Sequence, residues 1–166
     1  MLILGIDPGY AIVGFGVIRK SGSRLAPVEF GAILTDANTP FPDRLVTIYN
    51  RIKELIERRH PDVLAIEKLY YANNQKTVIG VAEARGVILL AAREAGLPIF
   101  EYTPLQVKLA VTGYGKAVKT QVQEMTRRLL SLESVPKPDD TADALAIAVC
   151  HAQSPGTRMS ELTGGR

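Results

Sequence analysis

The hydrophobic period of this chain changes near Asp43, and that change limits the folds open to it. Before Asp43 the apolar residues come in strand-length runs, at 2–6 (LILGI), 13–19 (VGFGVIR) and 28–35 (VEFGAILT), broken by turn-forming residues. Short connections between them predict an antiparallel meander. After Asp43 the spacing is helical. Leu45, Ile48, Ile52, Leu55 and Ile56 make one stripe, Arg58, Arg59 and His60 follow at the end that favours cations, and Pro61 stops the helix. Apolar runs at 62–66 (DVLAI) and 98–101 then alternate with helical segments at 75–95 and 104–110. Thr103-Pro104 opens the second of these as N-cap and first helical residue. Two more helices follow, one carrying Val118, Val122, Met125 and Leu129 on a stripe, the other starting near Asp139. The order βββαβαβααα predicts an α/β domain with a mixed central sheet of five strands, the meander plus parallel strands, flanked by helices. A chain of 166 residues supplies one such domain, expected over 1–153, with a polar, Gly-rich flexible tail at 154–166.

Within this frame the acidic residues fall at telling places. Asp7 follows the first strand and Glu67 the fourth; if those strands are parallel neighbours, both carboxylates emerge at one edge of the sheet, where α/β folds carry their sites. Asp140 and Asp143 are three apart and share a helix face. Each has a plainer reading by itself. Asp7-Pro8-Gly9 is a turn sequence, Asp140 suits a first helical turn, and Asp139 reads as the N-cap of the last helix. Together, Asp7, Glu67, Asp140 and Asp143 make an oxygen-rich cluster that would repel itself unless cations sat within it, and such clusters suit magnesium or manganese. Gly14 and Gly16, two apart on one strand, leave a bare lane where another backbone can come close.

Lys116 and Lys119 sit at a helix start, against the dipole, behind Gly113-Tyr114-Gly115. Lysines, free amides and a helix N-terminus suit a phosphate, and Lys108 extends the patch. Tyr70 and Tyr71 follow Glu67 closely; one is expected to stack on unpaired bases and the other to pack inward. The 75–95 helix carries apolar and small residues on nearly every face, so a second copy of the chain is expected to cover it, and on this reading an arginine at Gly80 separates the copies. The formal net charge of +3 permits a polyanionic partner. The run at 2–6 is too short for a signal peptide or membrane span, and the lone Cys150 suits a reducing compartment, so the expectation is a cytoplasmic protein. His60, His151 and Cys150 do not supply a zinc site, and His151 reads as a surface histidine.

The motifs GIDPG at 5–9, AIEKLYYANN at 65–74, QVK at 106–108, GYGKAVKTQV at 113–122 and DDTADALAIA at 139–148 together resemble the RuvC family of bacterial Holliday-junction resolvases, in the right order and spacing. The resemblance implies a ribonuclease-H-like fold and a homodimer that nicks two strands of a four-way DNA junction symmetrically, in recombination and repair. It implies two Mg2+ per subunit, with Mn2+ able to substitute, held by Asp7, Glu67, Asp140 and Asp143. Lys108 and Lys119 match the family's functional lysines, and Tyr70 falls where the family has an aromatic at the junction centre. The RuvA–RuvB branch-migration complex is the implied partner. Three rivals stand beside this reading: a non-catalytic junction-binding module, a resolvase-like RNA nuclease, and an ATP-binding fold of the actin and sugar-kinase type, which needs a second lobe that this length does not hold.

Overall fold

In the computed structural model, which describes residues 1–69 and 75–154, β1 (Leu2–Asp7) lies at the centre of a five-stranded sheet. That position explains why it is apolar on both faces. Its neighbours are β2 (Ile12–Ser21) on one side and β4 (Val63–Glu67) on the other, with β3 (Arg24–Leu34) and β5 (Ile99–Tyr102) at the edges, giving the order β3-β2-β1-β4-β5. The β1–β2 and β2–β3 pairs are antiparallel, as the short connections require; β1–β4 and β4–β5 are parallel. The parallel pairings need crossovers, supplied by α1 (Phe41–Arg59) and α2 (Gln75–Glu94). After β5 come α3 (Pro104–Thr112), α4 (Lys119–Leu129) and α5 (Asp139–Gln153).

Alternation along the strands divides the core in two. Leu4, Ile6, Leu64 and Ile66 face α1 and α2, where Ile48, Ile52, Ile88 and Ala91 meet them. Ile3, Val63, Ala65 and Tyr102 belong to the other side, with Val107, Val122, Leu145 and Val149 of the last three helices. Each fully buried isoleucine or leucine contributes roughly 2 kcal/mol of transfer free energy. Among the described residues, no helix is long and apolar enough to cross a membrane.

The lane expected at Gly14 and Gly16 is present and wider than two residues. Gly5 pairs with Gly16, and Asp7 with Gly14, so three glycines and one carboxylate share a face. The backbone of α5 lies directly on that face. A Cβ on Gly14 would stand 1.9 Å from the Asp140 carbonyl oxygen, and one on Gly5 would stand 2.2 Å from that of Ala144. A Cβ on Gly16 would strike Leu145 Cδ2 at 2.6 Å.

Three expectations need correcting at the level of elements. Asp139 is not the N-cap of α5: Pro138 holds that position, no side chain caps the helix, and Asp139 lies in the first turn. Thr103 does cap α3, in a reciprocal pair with Gln106, but the helix continues to Thr112 before Gly113 ends it in the left-handed conformation (φ 72°). Finally, Gly80 does not lie on the outward face of α2. Ala84, Ile88, Ala91 and Ala92 are buried within the chain. Gly80 also faces inward, since a Cβ there would meet Tyr10 at 3.1 Å, so an arginine at this position would disturb the chain's own packing. The outward stripe is Ile79, Ala82, Gly86 and Leu90.

The glycine lane generates a direct test. Gly14→Ala places a methyl group in the path of a helix backbone that cannot retreat without lifting off the sheet, and is expected to cost about 2–4 kcal/mol in urea unfolding. Gly86→Ala, with nothing within 4 Å of the added Cβ, is expected to leave the stability of the single subunit unchanged or higher by about 0.5–1 kcal/mol.

Candidate active site

Asp7 and Glu67 are the last residues of two adjacent parallel strands whose register pairs Ile6 with Ile66. The alternation that sends Ile6 and Ile66 to the α1–α2 side sends both carboxylates to the α5 side. α5 arrives there with its first turn against Gly14, the residue paired with Asp7, and so brings Asp140 and Asp143 to the same edge. The sequence separates these groups by as much as 136 positions; the sheet register and the glycine contact bring them together.

Burial and mutual repulsion act on their proton affinities. Burial, and then repulsion from Glu67, Asp143 and Asp140, pushes the Asp7 carboxyl up to about 8, against an attraction from Lys119. Burial followed by the charge of Asp143 raises Glu67. Asp143 is raised by burial even though Lys119 hydrogen-bonds to it. Lys119, the first residue of α4, places its ammonium 2.8 Å from Asp143 Oδ2 and 3.6 Å from Asp139 Oδ2. Its own proton is held more tightly in consequence, first through the hydrogen bond to Asp143.

Glu67, Lys108, Lys119 and Asp143 line one cleft of about 200 Å³, floored by Val107, Val122, Ala146 and Ile147. Lys108 is therefore brought to the site. Lys116 is exposed in the turn before α4 and does not line this cleft. A larger cleft, about 420 Å³, lies along α4 between Tyr114, Gln121, Met125 and Arg128, and contains none of the four carboxylates. Tyr70 and Tyr71 lie outside the described residues.

All the acidic donors are oxygens, a set that suits magnesium or manganese and not zinc. As they stand, no three acidic, imidazole or thiol groups among the described residues surround a common point that an ion could take. Asp143 is instead engaged by an ammonium. The chemistry of the donors and their mutual repulsion fit divalent cations, and the side chains would have to turn inward to close on them.

Several supporting residues escaped sequence reasoning. Arg44 is buried and holds the turn that follows Asp7, donating from Nε to Thr35 Oγ1 at 2.8 Å and from Nη2 to the Tyr10 carbonyl at 3.1 Å, with its guanidinium over the Tyr10 ring. Arg85 of α2 pairs with Glu101 and donates to the Glu67 carbonyl at 3.3 Å, which secures the end of β4. Nothing in the local sequence marks either arginine. The Asp139–Lys119 contact had a visible signal, since Asp139 and Asp143 are four apart and must share a helix face. His151 is not a surface residue. It is partly buried, with its ring against Phe100 and Nδ1 2.6 Å from the Tyr102 hydroxyl, and burial lowers its pKa to about 4.

The sheet order, the helices on both faces and the acidic edge put the protein in the ribonuclease-H-like class of α/β proteins. The Yeast Mitochondrial Holliday Junction Resolvase, Ydc2, shares this fold at a TM-score of 0.68 and 15% identity, over 91% of this chain and 77% of that one. Comparison then narrows the class. The pattern of the family described as "Crossover junction endodeoxyribonuclease RuvC" matches residues 3–151. Curated relatives of that name are 57% identical in Desulfitobacterium hafniense, over 93% of both chains, and 58% identical in Brevibacillus brevis, over 92% of both. The structure of Thermus thermophilus RuvC in complex with Holliday junction substrate superposes with a TM-score of 0.87 at 37% identity, covering 92% of this chain and 93% of that one. The chain belongs to the RuvC family.

The raised Asp7 carboxyl makes a stability prediction for the metal-free protein. Folded Asp7 releases its proton near pH 8 and an ordinary aspartate near 3.8, so between these values the folded state holds more protons than the unfolded one. The favourable contribution is fully present below about pH 4 and is lost as the pH rises through about 8. Asp7→Asn removes the buried charge and is expected to stabilise the metal-free protein by about 1–3 kcal/mol at pH 8.5, with a smaller gain at pH 5. Urea unfolding in EDTA at the two pH values measures the difference.

Proposed function

We propose that this protein is a divalent-metal-dependent endodeoxyribonuclease that resolves four-way (Holliday) DNA junctions by paired, symmetric phosphodiester hydrolysis in recombination and repair. The observation that carries the reading is the gathering of Asp7, Glu67, Asp140 and Asp143 at one edge of the sheet, where their charges add to burial in raising the Asp7 carboxyl, with Lys119 among them. Likeness over most of its length to a RuvC solved with a Holliday junction supports the choice of substrate.

The four carboxylates are the groups that would hold the metal, two Mg2+ per subunit with Mn2+ able to substitute. When bound, such ions supply Lewis-acid activation of water and stabilisation of the leaving oxygen. The chain's own residues do the rest. Asp7 and Glu67, half-buried at the ends of rigid strands, fix the edge against which the scissile phosphate would lie. Lys119 carries a full positive charge there and would offset charge that develops on the phosphate in the transition state. Lys108, on the wall of the same cleft, would grip a neighbouring phosphate oxygen, and exposed Lys116 would extend the contact along the strand. Tyr70 is assigned to stacking on an unpaired base.

A junction presents two equivalent strands, which suits two equivalent subunits. The exposed stripe of α2, Ile79, Ala82, Gly86 and Leu90, is the surface we assign to the homodimer contact. The RuvA–RuvB branch-migration complex is the partner implied by the family, and the cytoplasm the compartment.

With Mg2+ present, the protein is expected to cut a synthetic four-way DNA junction at symmetric positions, mapped to nucleotide resolution on a sequencing gel. Asp7→Asn keeps the shape of the site but removes a metal-binding charge, and is expected to lower the cleavage rate by at least about 100-fold while junction binding in a gel-shift assay persists. Cleavage of RNA junctions at the same rate as DNA, or cleavage by the variant at the wild-type rate, would reject the reading. For the dimer, Gly86→Arg puts a charge on the outward stripe without touching the subunit's own core, and is expected to give monomers in sedimentation; an unchanged dimer would move the interface elsewhere.

A further inference from the structure

We infer that Asp139 is a positioning residue for Lys119: it receives the Lys119 ammonium when Asp143 is taken over by metal ions. The inference rests on the metal-dependent reading above. In the structure Lys119 lies 2.8 Å from Asp143 Oδ2, and thus occupies an oxygen that a divalent ion would claim. A divalent ion on that carboxylate would repel the ammonium beside it, although the carboxylate has lone pairs enough to hold both. Metal binding would therefore loosen Lys119 from Asp143, and where the ammonium then settles decides whether it stays at the reacting phosphate or swings into solvent.

Asp139 is built to receive it. It sits four residues before Asp143, on the same face of α5. Its two oxygens are already divided: Lys137 Nζ holds Oδ1 at 2.6 Å, which leaves Oδ2 turned toward Lys119 at 3.6 Å. A shift of about 0.8 Å would turn that approach into a charge-assisted hydrogen bond. The backbone of Lys119 is anchored as the first residue of α4, so the movement is confined to its four-carbon stem. Asp139 has no place among the proposed metal-holding groups, and its role is exerted through Lys119 alone.

The test is Mn2+ binding to the purified protein without DNA, followed by the electron paramagnetic resonance signal of free Mn2+. Lys119→Gln removes the competing ammonium and is expected to tighten binding. Asp139→Asn deprives Lys119 of its landing place, keeps it on Asp143, and is expected to weaken binding about two- to five-fold, the scale of a partly exposed ion pair. Asp139→Glu keeps a carboxylate on the same face and is expected to restore the wild-type value. In the Lys119→Gln background, Asp139→Asn is expected to change nothing. Equal loss in both backgrounds would mean that Asp139 acts only through its field, and would overturn the inference, as would wild-type binding by Asp139→Asn alone. Failure of the wild-type protein to bind Mn2+ at all would bring down the metal-dependent reading and this inference with it; wild-type binding with an indifferent Asp139→Asn sinks the inference only.

Discussion

The last helix lies on a part of the sheet that has no side chains. Gly5, Gly14 and Gly16 let the α5 backbone come within contact distance of β1 and β2, and no other residue type leaves room there. Everything at the acidic edge depends on that approach. Were the helix to ride on ordinary side chains, the interaxial gap would grow by several ångströms, and Asp140 and Asp143 would stand clear of Asp7 and Glu67. The contact is also stiff, because backbone set against backbone cannot relax by changing rotamers. It fixes two of the carboxylates with the precision that the other two receive from hydrogen-bonded strands.

That stiffness gathers like charges and has an electrostatic cost. Asp7 and Glu67 are half-buried beside other carboxylates, and both hold protons more tightly than they would in water. Lys119 offsets part of the repulsion by pairing with Asp143, while Arg85 and Arg44 work on backbone, holding the end of β4 and the turn after β1. The acidic edge is thus maintained against its own field by packing on one side and by cations on the other.

Much of this was legible from the residues. The change of period at Asp43 and the spacing of turn residues yield the element order and the meander, because period 2 and period 3.6 are properties of the local chain. Asp7 and Glu67 are legible as a pair because each follows an apolar strand, and parallel neighbouring strands bring both to one edge of the sheet. The errors were also physical. Asp139 looked like a cap, since aspartate before a helical run usually is one, yet Pro138 took that position and freed Asp139 for Lys119. Gly80 looked like an interface residue because apolar residues encircle α2, and periodicity does not say which side Tyr10 will fill. His151 looked superficial because the partners that bury it, Phe100 and Tyr102, are some fifty residues away in the chain.

By itself the sequence determined the elements, their order, and the kinds of atoms available for chemistry: oxygen donors without a zinc set, lysines at a helix start, and glycines two apart. These follow from local sterics and from counting donors, which need no tertiary information. The tertiary structure alone decided which lysines share the cleft, which carboxylate holds Lys119, and which stripe of α2 is left uncovered. Those outcomes depend on distances between segments far apart in the chain, set by strand register and by how closely a helix can lie on bare backbone.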